Sequence, residues 1–177
     1  MGPAAWWLEA GTLVAAGLVL FGARSDLERT AYLWFAVLGV VLACVDIAVR
    51  RLPNLLTAFW GAGLLAGLLI PALAQHRFTS WLQALALGIV LTVLFGLVAL
   101  VRPGQLGWGD VRAIGVAGIA LGWLGWAAAY AGIFLSFTFA LIFVILRGRA
   151  HRKQAVRFGP FLVAGAVVVC ALMPTVQ

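Results

Sequence analysis

Long apolar stretches separated by short polar breaks recur from one end of this chain to the other, and no other feature so narrows what it can fold into. The candidate spans are residues 5–21, 31–46, 54–74, 80–101, 111–124, 126–146 and 160–174. A helix needs about 20 residues to cross a bilayer, so the fifth and seventh spans are expected to be less tilted, broken or partly interfacial. Hydrocarbon offers no partner to free backbone groups, which leaves helices or a closed barrel. The stretches are too long and too evenly apolar for the alternating strands of a barrel. The expected fold is all-α, a polytopic membrane helical bundle with six or seven transmembrane helices. With 65% of residues hydrophobic and no shift in composition to mark a linker, residues 1–177 are expected to form a single membrane-embedded domain. The opening MGPAAWWLEA lacks the basic leading region of a secretory signal, so Trp6 and Trp7 read as interface residues of a first span.

The net charge of +7 taken alone suggests nucleic acid, but its distribution points to the lipid bilayer instead. In a seven-span arrangement, the second, fourth and sixth connections and their borders hold Arg50, Arg51, Arg102, Arg112, Arg147, Arg149, Arg152, Lys153 and Arg157. The other side holds only Arg24, Arg29 and Arg77. The positive-inside bias then places the first group, and the N-terminus, in the cytoplasm. A basic rim beside anionic headgroups accounts for the charge without nucleic acid. The run from Arg147 to Arg157 is read as topological, with docking of an acidic patch on an assembly partner as the other reading.

Only five acidic residues occur, and two of them, Asp46 and Asp110, stand at the edges of apolar spans. An ionisable group at such a position is costly and therefore a functional hypothesis by default. Asp46 opens the block VDIAVRRLPNLLT, in which Pro53 breaks the helix and Asn54 or Thr57 satisfies backbone groups at the next helix start. Pairing of Asp46 with Arg50 at i,i+4 is the plain structural account. Asp110 lies in LGWGDVRAIGVAG, where Gly107 and Gly109 remove side-chain bulk and permit unusual backbone geometry. A position at the start of a helix is expected to favour the ionised carboxylate, and a simple helix cap is the structural account of Asp110. Topology puts both acids on the cytoplasmic side at similar depth. Two close carboxylates resist joint ionisation, so one keeps a proton while the other serves as a base, with the assignment open. Such a pair can activate water against a peptide carbonyl.

Metal and cofactor chemistry find less support. Two carboxylates are a thin ligand set, His76 falls on the opposite side, and His151 lies in a basic loop without HExxH spacing. Serine or cysteine nucleophiles lack a placed histidine base, and Cys44 and Cys170 read as packing residues. No metal, cofactor or cofactor-binding residue is expected. The GxxxG spacings Gly63/Gly67 and Gly118/Gly122 indicate close helix contacts within the bundle. The tryptophans lie largely near span ends, and Trp108 stands out for sitting within the second acidic block.

These blocks give the chain a resemblance to the prepilin peptidase family, the GxGD-type membrane aspartyl proteases of type IV pilus, tight-adherence pilus and type II secretion systems. The resemblance runs over roughly residues 35–165. Asp46 with Leu52, Pro53, Asn54, Leu56 and Thr57 resembles the block of the first catalytic aspartate, and Gly107, Gly109 and Asp110 match the GxGD block of the second. RFGPFLVAG is similar to the family's FGP segment, where Gly159 and Pro160 mark a helix start. After GxGD the family usually has lysine and leucine, whereas this chain has Arg112 and Ala113, keeping the charge with a different hydrogen-bond geometry. The paired cysteine motifs of the N-methyltransferase region in longer relatives are missing, so the expectation is the short form, with peptidase activity alone.

The resemblance implies cleavage of the basic leader of prepilins or pseudopilins at the cytoplasmic face of the inner or plasma membrane. Asp46 and Asp110 would be catalytic, and pilus or secretion assembly proteins would be possible partners. A small proton-coupled transporter and a noncatalytic assembly scaffold are the competing readings. The oligomeric state stays open.

Overall fold

A computed structural model describes residues 14, 15, 17, 25–49, 54–101, 106–146 and 159–173. Among these residues lie six helices: α1 (Asp26–Val49), α2 (Asn54–Ala74), α3 (Phe78–Val101), α4 (Trp108–Leu124), α5 (Trp126–Leu146) and α6 (Gly159–Leu172). Most of the expected span 5–21, the turn containing Arg50, Arg51 and Pro53, and the basic run 147–157 lie outside the described residues.

Helices α2 and α5 coincide with their expected spans. Helix α1 starts at Asp26 rather than at residue 31, because Asp26 and Glu28 fill its first turn and the Ser25 carbonyl accepts from the Glu28 and Arg29 amides. Acidic residues are favoured beside the positive end of a helix. Four helices are long and apolar enough to cross a membrane: α1 through Asp46, α2, α3 and α5. Their length and hydropathy make this a multi-pass membrane protein, all-α over the described residues.

Helix α4 is shorter for a physical reason. It is the central helix, packed most extensively on α3 and also touching α2, α5 and α6, while α1 bridges α2 and α6. Val111 and every residue from Ala113 to Leu124 are buried. A helix walled by protein has no need to match the hydrocarbon thickness. Gly125 alone joins it to α5, at φ 106°, a conformation that favours glycine.

Small residues set the α3–α4 spacing. A Cβ on Gly118 would meet Leu91 Cδ1 at 2.7 Å and Gly88 Cα at 3.2 Å, and one on Gly122 would meet Ala84 Cα at 2.8 Å. Gly67 similarly faces Ala31, and Gly63 the indole of Trp34. Both GxxxG pairs therefore serve contacts inside the bundle. Because the obstacle to Gly122 is backbone, Gly122→Ala is expected to destabilise the bundle by about 1–3 kcal/mol. Denaturant unfolding in detergent measures this, and a neutral result would mean that the α3–α4 contact yields easily.

The tryptophans are less terminal than their sequence positions suggest. Trp60 is buried at mid-bundle, stacked on Phe35 with centroids 5.0 Å apart, and its indole donates to the Phe35 carbonyl at 2.9 Å. Trp34 donates to the Trp60 carbonyl at 3.2 Å. An indole N–H in an apolar interior must find an acceptor, and here the two rings fasten α1 to α2.

Candidate active site

The Tyr32 hydroxyl of α1 donates to the Ala120 carbonyl of α4 at 2.6 Å. From that contact α1 runs forward to Asp46 while α4 runs back to Asp110, so the two helices deliver both acids to one end of the bundle. At 100° per residue, Asp46 falls within about 40° of the face that carries Tyr32, and Asp110 within about 80° of the face that carries Ala120. Asp46 is thus turned toward α4, while Asp110 lies to the side of the α4 face that carries Ala120. Asp46 is buried, at 8% exposure, and Asp110 is half-buried.

Asp110 lies one residue ahead of the apolar stretch that starts at Val111. Its carboxyl is pushed up from the ordinary 3.8 to about 6, first by burial and then by the negative charge of Asp46. Both causes penalise the ionised form. The sequence argument that the start of a helix would favour the carboxylate is therefore outweighed. Asp110 does occupy the first turn of α4, but burial and a neighbouring acid dominate there. Asp46→Asn is expected to lower the Asp110 midpoint only part of the way toward 3.8, since burial is the larger cause. Carbon-13 NMR titration of labelled aspartate in micelles reads this directly. A full return to 3.8 would show that charge, not burial, governs the site.

Of the two parts of the expectation for the glycines before Asp110, Gly107 meets the removal of bulk but not the unusual backbone. Gly107 is the N-cap at φ −75° and ψ 143°, a backbone that any residue adopts. A Cβ there would lie 3.7 Å from Asp110 Oδ2, so glycine at this position leaves the space over the carboxylate open. Trp108 is 54% exposed beside it.

Sequence reasoning missed one connection between the two acidic blocks. Arg112 Nη1 donates to Asn54 Oδ1, which ties the first turns of α4 and α2 together. Asn54 was expected near a helix start, and it is the first residue of α2, but spacing gave no sign that the partner of its side chain would come from the other block. A second omission lies at the far end of α1. Glu28, 1% exposed, accepts from Arg77 Nη1 at 3.1 Å, and the Arg77 guanidinium sits 5.0 Å from the centre of the Trp123 ring. By its sequence position Arg77 reads only as a topological charge. Cys170 is fully buried and Cys44 partly so, in keeping with packing roles.

Fold and site together describe a multi-pass membrane protein with two interacting carboxyls at one end of its bundle. The chain belongs to the type IV leader peptidase family, whose model matches residues 33–146. It is also similar to the prepilin leader peptidase/N-methyltransferase of Bacillus subtilis (strain 168), with 31% identity over 172 residues. That alignment takes in 95% of this chain and 64% of the relative's length. No solved structure matches the chain.

Proposed function

We propose that this protein is an aspartic endopeptidase that removes the basic leader of prepilin-like substrates, with Asp46 and Asp110 as its catalytic pair. The observation that carries the reading is the shared position of the two acids, close enough for the charge of Asp46 to raise Asp110. Below the raised Asp110 carboxyl near 6, such a pair keeps one proton between them. The ionised carboxylate takes a proton from water as the water oxygen attacks the scissile carbonyl carbon. The protonated partner donates a hydrogen bond to the carbonyl oxygen. When the tetrahedral intermediate collapses, the C–N bond breaks and the leaving nitrogen takes a proton from the pair. Neither a metal nor a cofactor enters this scheme.

The rest of α1 supports hydrolysis over proton transport. Between Glu28 and Asp46 it buries Tyr32, Phe35 and Leu42, and Glu28 is already engaged by Arg77. From residue 33 to 42 this helix carries no ionisable side chain, so α1 by itself offers no relay from one end to the other. The positive-inside bias puts the Asp46 end in the cytoplasm, where a basic leader would be presented. The family relationship supports prepilins as substrates, and the similar Bacillus subtilis protein is itself a prepilin leader peptidase/N-methyltransferase.

The test is co-expression with candidate prepilins from the same genome, followed by mass measurement of their N-termini. Wild type is expected to release the leader, and Asp46→Asn and Asp110→Asn to leave it attached. Leader removal at the wild-type rate by either folded variant would sink the pair.

A further inference from the structure

Helices α2 and α3 are stitched together where Trp81 Nε1 donates to the Leu65 carbonyl at 3.1 Å. Toward the Asn54 end a cavity of about 540 Å³ lies between them, floored by α4. Its α4 lining is Arg112, Gly115, Val116 and Ile119. At 100° per residue, these four centre about 190° around α4 from Asp110, so the groove lies on the back of the helix that carries the acid. It is therefore poorly placed to present a scissile bond to the pair.

Chemistry divides the groove along its length. Leu65, Leu85, Ile89 and Val93 make its walls apolar, and Ile89 and Val93 are more than half exposed on the bundle's outer surface. Asn54, Thr57 and Arg112 form one polar end. Arg112 is exposed, and among the described residues no carboxylate lies within ion-pair distance of it. Its guanidinium carries five N–H donors, of which one is seen engaged, by Asn54. The positive N-terminal end of α2 adds to the same potential. From Asn54 to Leu65 the groove runs about 17 Å along α2, close to half of a hydrocarbon core about 30 Å thick. A helix crossing the whole membrane would overrun its closed end, whereas one acyl chain of one leaflet fits the length.

We propose that this groove is a binding site for an anionic phospholipid, its phosphate on Arg112 and one acyl chain between α2 and α3. A net negative headgroup is favoured because, among the described residues, no carboxylate pairs with the cation. The site is independent of the peptidase assignment, and its test does not use cleavage.

The protein purified in detergent would be examined by native mass spectrometry with phosphatidylglycerol and, separately, phosphatidylcholine of the same chain length. Wild type is expected to retain phosphatidylglycerol in preference. Arg112→Gln should weaken its retention by about tenfold or more, as loss of a charged hydrogen bond implies. Ala58→Phe, which fills the groove beside Thr57, should weaken both lipids. A thermal melt confirms that each variant is folded. Equal retention by wild type and Arg112→Gln would overturn the proposal, as would displacement of the lipid by inorganic phosphate. A photoreactive residue at position 93 gives an independent reading. Cross-linking to phospholipid supports the site, and cross-linking to the apolar segment of a co-expressed prepilin overturns it.

Discussion

Asp46→Asn and Asp110→Asn are each expected to slow leader removal by about 100- to 10,000-fold, the range that positioned general acid–base groups supply. Asparagine keeps the volume and a hydrogen-bonding edge, but it can neither take a proton from water nor share one with its neighbour. The two single losses should be of similar size if the carboxyls act as the proposed unit: when one is gone, the other no longer has a partner with which to divide the labour. The sharper expectation concerns the double variant, which should be no slower than the worse of the singles. Were the acids serving separate steps, the two losses would multiply. Single-turnover cleavage of purified prepilin by the four proteins, each verified as folded, separates these outcomes. The wild-type rate should also depend on retention of one proton by the pair, and so decline as the pH rises past the raised carboxyl near 6. An alkaline limb that persists unchanged in Asp46→Asn would assign that ionisation to another group.

The sequence was most legible where a single physical rule dominated. Lipid excludes unsatisfied backbone, so apolar runs alone place α2 and α5 to the residue, and the polar breaks place the acids at helix ends. That Asp46 and Asp110 share an end follows from counting alternate crossings. Boundaries set by short-range chemistry were harder to read, as at Asp26, where capping carries α1 beyond its apolar portion. Contacts between distant segments were not legible. Nothing in the spacing of Arg112 and Asn54 marks them as partners, because their meeting depends on how α2 leans against α4. The same holds for Trp34 and Trp60, where an interface reading was natural for indoles but the observed acceptors are carbonyls of the facing helix. The electrostatic state of Asp110 was misjudged for a related reason. A helix end is a local property, whereas burial and the approach of Asp46 are tertiary ones.

Glu28 and Arg77 carry the largest expected effect on stability. Their side chains are 2% and 18% exposed and meet at 3.1 Å, so either charge left alone is deprived of most of its water. Arg77→Met, which removes the guanidinium from the buried Glu28 carboxylate, is expected to cost about 3–5 kcal/mol, the usual penalty for breaking a buried pair from one side. Glu28→Gln should cost less, since an amide oxygen can still accept from the guanidinium. Replacing both, as Glu28→Leu with Arg77→Met, removes the two desolvation penalties together and should recover most of the loss. Unfolding in detergent ranks the four proteins. If the double variant is as unstable as Arg77→Met, the pair contributes net stability rather than only offsetting the cost of burying its two charges. The Trp123 ring would then be the place to look, because its contact with the guanidinium at 5.0 Å is lost in both proteins. Glu28 lies about 27 Å along α1 from Asp46, so the folded fraction of every variant should cleave leader at the wild-type rate. A change in that rate would mean that α1 transmits the state of one end to the other.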